Sequence, residues 1–205
     1  MAVTALEIKT CSPFASGKTF GDVGAYQQLE GTVHFAVDPH HPGNAGITDL
    51  KRAPRDAQGL VRCSADVRIL APVAPQHSNH RLLLDIVNRG NPTVLTNFNS
   101  AVGRTDPGNG FLMRQGYTVV WCGWQDDVPA TPGLIRIRVP EAVDAGGQPL
   151  TGKIAVTFQP DTPIQVQLLS DRLHRPHPAR DVNDPDATLT VQEHEDAPAQ
   201  TMSRQ

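Results

Sequence analysis

The sequence predicts an α/β protein, β-rich, with a mixed sheet that holds one βαβ unit and an antiparallel β excursion. Three observations predict it. Residues 81–87 (RLLLDIV) form a short, continuous apolar run, the pattern of a central strand covered on both faces. Residues 117–121 (YTVVW) form a second such run, and residues 110–116 (GFLMRQG) between them read as a short helix closed by a C-cap glycine. Strand, loop, helix and strand in that order imply parallel pairing of the two strands. The third observation is punctuation. With 17 glycines and 18 prolines in 205 residues, long helices are interrupted, which excludes a helical bundle and favours short strands joined by turns.

The remaining elements follow in chain order. Residues 5–10 alternate loosely between apolar and polar side chains. Residues 26–37 (YQQLEGTVHFAV) alternate more clearly and become rich in β-formers in their second half. Two prolines and two glycines within residues 38–46 mark a turn cluster. Residues 61–70 (VRCSADVRIL) alternate as a half-buried strand should, and Pro72 and Pro75 end them. Asn88, Arg89, Gly90, Asn91 and Pro92 break the leucine-rich run abruptly, and a polar, glycine-bearing loop leads to the short helix. Beyond Trp124 the alternating runs 134–139 (LIRIRV), 153–158 (KIAVTF), 164–169 (IQVQLL) and 188–191 make up the antiparallel excursion, with one face wet. Residues 1–192 thus read as one domain, and residues 193–205, polar and aperiodic, as a disordered tail.

Composition narrows the functional classes. A chain of this length buries about 70% of the surface its unfolded form exposes, so its core needs neither disulfide nor metal. Lys and Arg number 18 against 21 Asp and Glu, a net charge of −3, which argues against nucleic acid as a partner. No apolar run approaches the ~18 residues that span a bilayer, so no membrane partner is expected. Cys11, Cys63 and Cys122 are odd in number and hold no CxxC pair, against both a disulfide framework and a cysteine zinc site. The first residues show no basic region followed by an apolar stretch, so the expected location is cytoplasmic.

Familiar catalytic and ligand-binding patterns are absent. No G-x-S-x-G elbow occurs, since Ser16 has the following glycine but not the preceding one. Residues 16–19 (SGKT) imitate the end of a phosphate-binding loop but lack its upstream glycine. His40 and His41, His77 and His80, and His174 and His177 all sit in proline-bearing loops and read as solvated rather than as metal ligands. Residues 181–186 (DVNDPD) lack the glycine and distal glutamate of a calcium loop, and Asp126 and Asp127 read as a solvated pair. Cys122 has no histidine near it in sequence and reads as structural. No cofactor and no metal are expected.

The strongest signal is the break at Asn88, Arg89, Gly90 and Asn91. It follows the carboxyl end of a buried strand, where open α/β sheets bind ligands. Gly90 would let the backbone approach a ligand, and the loop amides could donate to an oxyanion. Equally, Arg89 could form a structural ion pair and Gly90 could simply turn the chain.

Residues 20–35 (FGDVGAYQQLEGTVHF) resemble the start of a bacterial family of large α/β-hydrolase-domain proteins. The resemblance continues through residues 87–91 (VNRGN), 108–114 (GNGFLMR), 116–125 (GYTVVWCGWQ) and 184–191 (DPDATLTV), and so covers nearly the whole chain. It implies the β-rich N-terminal part of a hydrolase-like α/β fold, in which Arg89, Gly90 and Asn91 stand where an oxyanion-hole amide comes from. It also implies an ester or related acyl hydrolase, with a small ester-like molecule as substrate of a full-length protein. The family's serine elbow, acid and histidine would all follow the segment seen here, and these 205 residues contain none of them. The chain is therefore expected to be incomplete and inactive alone. Such a fragment would leave the strands at 82–87 and 117–121 with an uncovered face or edge, which self-associates or takes a missing C-terminal half. The alternative is a β-rich binding or interaction module that folds alone. A third reading makes the histidine pairs and Asp126–Asp127 a metal centre.

Overall fold

Three strands of twelve residues each carry the structure, a computed structural model that describes residues 2–162, 164, 166–167 and 177–203. They are β1 (Ala2–Pro13), β2 (Tyr26–Val37) and β3 (Val61–Pro72), joined as an antiparallel meander. β2 and β3 pair without a slip from Tyr26 opposite Pro72 to Val37 opposite Val61. β1 follows β2 less regularly, with register shifts between Val3 and Ala5 and between Ile8 and Thr10. Gly31 of β2 explains the second irregularity. A Cβ there would lie 2.0 Å from the Glu7 carbonyl oxygen, so only glycine lets β1 cross so closely.

β4 (Leu82–Asp85) and β5 (Thr118–Cys122) complete the main sheet in the order β1-β2-β3-β5-β4. β5 is antiparallel to β3 and parallel to β4. The crossover between β4 and β5 contains two short helices, α1 (Val94–Asn99) and α2 (Phe111–Arg114). β6 (Ile137–Arg138) pairs with β3 beyond the end of β5. β7 (Thr190–Val191) and β8 (Gln200–Thr201) form a separate two-stranded ladder, so the chain past Glu193 turns back on itself. No helix among the described residues is long and apolar enough to cross a membrane.

This architecture corrects the expected fold class. Over the described residues the protein is a β-rich mixed sheet with two short α-helices, not an α/β fold, whether whole or as the N-terminal part of a hydrolase-like one. The reason lies in the crossover, where Pro92, Gly103, Pro107, Gly108 and Gly110 keep any helix from extending. Ser100 turns left-handed (φ 53°) at the end of α1. The fully buried Asn99 then does what helix length would otherwise do. Its Nδ2 donates to the Pro107 carbonyl at 3.0 Å, and its Oδ1 accepts from the Leu112 amide at 3.1 Å, tying α1 to α2.

Two further expectations change. Among the described residues the leucine-rich run is an edge strand, paired only with β5, with Leu82 and Leu84 exposed. Among the described residues of the antiparallel excursion, only Ile137–Arg138 and Thr190–Val191 form ladders. Residues 153–158 take no regular structure, and part of 164–169 lies outside the described residues. Alternation suits a strand, but a strand also needs a neighbour's backbone to pair with.

Strand alternation gives the sheet two faces. On one, Tyr26, Leu70, Val119 and Trp121 pack beneath Phe14, Phe20, Val94, Leu95, Leu112 and Met113. The Tyr26 hydroxyl sits 3.1 and 3.0 Å from the Met113 and Tyr117 carbonyl oxygens, and burial holds its pKa well above the ordinary phenol value. On the other face Val33, Ala65 and Val67 form a smaller cluster with Phe35, Ile69, Val120, Cys122 and Ile137. Val3 and Leu6, opposite Phe35 and Val33, and Leu82 and Leu84 extend this face and are exposed.

Candidate functional site

The loop that leaves β4 is the best-defined polar constellation, and it begins with Asp85. A carboxylate inside an apolar strand needs partners. Its Oδ2 accepts from the Trp121 indole at 2.8 Å and from the amides of Thr93 and Val94 at 3.0 Å each. One side chain therefore joins β4, β5 and the start of α1. The lone Asp in RLLLDIV was the sequence signal for this role.

Past Asp85 the chain makes a narrow turn. Arg89 (φ 50°) and Gly90 (φ 74°) are both left-handed, and the Asn91 amide returns to the Asn88 carbonyl at 3.0 Å. A left-handed non-glycine residue costs about 1–2 kcal/mol, so neighbouring contacts must hold Arg89 there. They do. Its guanidinium grips the Asp127 carboxylate at 2.9 and 2.7 Å, and its amide donates to Gln125 Oε1 at 2.9 Å. Gly90 is wedged against the second loop. Its carbonyl accepts from the Ile135 amide at 3.0 Å, and a Cβ would fall 2.7 Å from both the Ile135 oxygen and Val128 Cγ1. Asn91 Oδ1 accepts from Arg104 Nε at 2.7 Å, and the Trp124 indole donates to the Val87 carbonyl at 2.6 Å.

The three residues singled out in sequence, Arg89, Gly90 and Asn91, thus stand together at the carboxyl end of β4, knitted to residues 124–135. The arrangement supplies a largely buried ion pair and a rigid turn. The Arg89 and Asn91 amides already donate to protein oxygens, so an oxyanion would have to displace Gln125 Oε1 or the Asn88 carbonyl to receive them. Sequence reasoning missed Gln125 and Trp124, and it read Asp127 as solvated. These partners lie 36–38 residues away, and only the sheet brings them near.

The other candidates stay apart. His41 Nδ1 accepts from the Gly43 amide at 3.0 Å, and His40 Nε2 lies 3.1 Å from Arg55. His77 belongs to the turn Pro75–His77, and His80 is left-handed (φ 57°). His174 lies outside the described residues. Among the described residues, no three His, Cys, Asp or Glu side chains converge as metal ligands. Asp181 and Asp184 accept from the Asn183 and Asp186 amides, as Asx turns do. Burial first, and the Asp66 carboxylate second, push the Cys122 thiol pKa upward and keep it protonated. Comparison of the chain with protein-family models, with curated proteins and with solved structures returned no match.

Proposed function

We propose that the chain works as a non-catalytic, β-rich interaction module whose partner is a second copy of itself, met through the β4 edge and the apolar face beside it. The observation that carries this reading is β4. Among the described residues it is hydrogen-bonded on one side only, and Leu82 and Leu84 stand 62% and 50% exposed on the apolar side. A bare apolar edge is a template for strand addition. The edge also suits itself. In antiparallel pairing about a twofold axis through Leu83, Leu82 faces Leu84 of the second copy and Arg81 faces its Asp85, which joins apolar to apolar and plus to minus. Free thiols at Cys11, Cys63 and Cys122 suit a reducing, cytoplasmic setting.

A second reading, descent from an ester or acyl hydrolase with a small ester-like substrate, draws on the position of Arg89, Gly90 and Asn91 after a strand parallel to its neighbour. It ranks lower because the Arg89 and Asn91 amides already have protein acceptors. Sedimentation velocity across a concentration series tests the first reading. A dimer is expected, and Leu84→Glu should give a monomer with an unchanged circular dichroism spectrum. A wild-type chain that stays monomeric throughout, or an assembly indifferent to Leu84→Glu, overturns it. Stoichiometric fluorophosphonate labelling of a serine required for turnover would revive the hydrolase.

A further inference from the structure

The covered face of the sheet is not covered everywhere. Beyond Leu70 and Trp121, strand alternation brings Glu30, Thr32, Asp66 and Arg68 to the same side, and residues 133–135 stand over them. Between the strands and that loop lies an open hollow of about 320 Å³, with Lys9 and Thr10 of β1 on its lining. A second hollow of about 280 Å³ shares Asp66, Gly133 and Leu134 with it and is lined by Arg136 and Arg138. The first, a groove over the polar part of the sheet, adjoins the second at these shared residues.

Arg68 is the anomaly in this groove. It sits on the middle strand with its side chain only 10% exposed. Burying an arginine is costly unless its donors are used. Its Nε donates to Glu30 Oε1 at 2.8 Å. Its two terminal amino groups have no acceptor among the described residues, yet they are not sealed from solvent and the residue lines the hollow. The Thr32 side chain, also buried, lines the same hollow.

Around the first hollow Lys9 and Arg68 stand against Glu30 and Asp66, and the adjoining hollow adds Arg136 and Arg138. Both acids are already engaged. Glu30 also accepts from Gln28, and Asp66 takes Arg138 at 2.7 Å and the Arg136 amide at 3.1 Å. We infer that this groove is a binding site for a small organic carboxylate, held by the Arg68 terminal amino groups with Lys9 at the mouth. A planar carboxylate matches the two parallel donors of a guanidinium. A phosphate dianion would meet twice the repulsion from Glu30 and Asp66. The hollow's volume lies at the small end of ligand sites, which suits a short acid.

The site lies away from the β4 edge and stands or falls independently of self-association. The test is titration of the full chain, followed by amide-resolved NMR, with acetate, lactate, benzoate and inorganic phosphate in turn. Saturable shifts at residues 9–10, 30–32, 66–68 and 133–135 are expected with a carboxylate. Arg68→Lys, which keeps the charge but loses the fork, should weaken binding about 10- to 100-fold. If that variant fails to fold, exposed Lys9→Gln decides the matter and should weaken binding several-fold. Stronger binding of phosphate than of any carboxylate overturns the inference. So does no saturable shift with any of the four, or carboxylate affinity unchanged in the folded variants.

Discussion

The two faces of this sheet are built from the same strands and differ in what lies on them. On one face, Tyr26, Leu70 and Trp121 are sealed by aromatic turns and by the crossover that contains α1 and α2. On the other, equally apolar side chains of the same strands meet no second layer of helix or strand among the described residues, and Leu6, Leu82 and Leu84 face outward. The crossover makes the difference. A parallel β4–β5 pair needs a long connection, and that connection can lie over only one face. Apolar alternation thus marks which residues could be buried, while connectivity decides which are.

The sharpest test of this contrast is a pair of identical substitutions. Leu70→Ala on the sealed face should cost about 3 kcal/mol in urea unfolding, because it opens a cavity in packed surroundings. Leu84→Ala on the open face, measured dilute, should cost less than about 1 kcal/mol. Equal losses would mean that both faces are covered in solution.

A comparable effect is expected where the crossover is anchored. Asp127→Ala removes the carboxylate that the Arg89 guanidinium, 13% exposed, grips at 2.7 Å and should cost about 3 kcal/mol. A loss within experimental error would show that the residue 87–91 turn holds itself.

The smallest effect concerns acid. The amides of Val102 and Gly108 hold the Asp106 carboxyl below its ordinary range. A lowered folded-state pKa contributes stability that is fully present above the unfolded value near ~3.9 and fades as pH falls through the folded value. Asp106→Asn should therefore lower stability slightly and evenly at neutral pH, with the loss shrinking to nothing in acid, which flattens the acid limb of the stability curve. A loss that grows above neutrality would contradict that assignment.

Much of the meander was legible. Residues 26–37 form β2 with those same bounds, and Val61 opens β3, because a long strand with one buried face writes its period into the sequence. The edge position of β4 was not legible, since three successive leucines report composition and not cover. α1 was not either. Six residues are too few to show a helical period, and its first amides are held by Asp85 from β4. The turn at Arg89 could be found as a break after an apolar run, but its partners could not. Arg68 was hidden because it is simply the polar half of an alternating strand.

Only two tryptophans are present, three residues apart, and they fall on opposite sides of a solvent boundary. Trp121 is 2% exposed, with its indole bound to Asp85, whereas Trp124 is 55% exposed, with its indole on the Val87 carbonyl. Their emission should therefore separate into a shielded and a quencher-accessible component. Because both indoles are tied to the β4 segment, the ratio of the two reads how firmly that edge is seated, with no label attached.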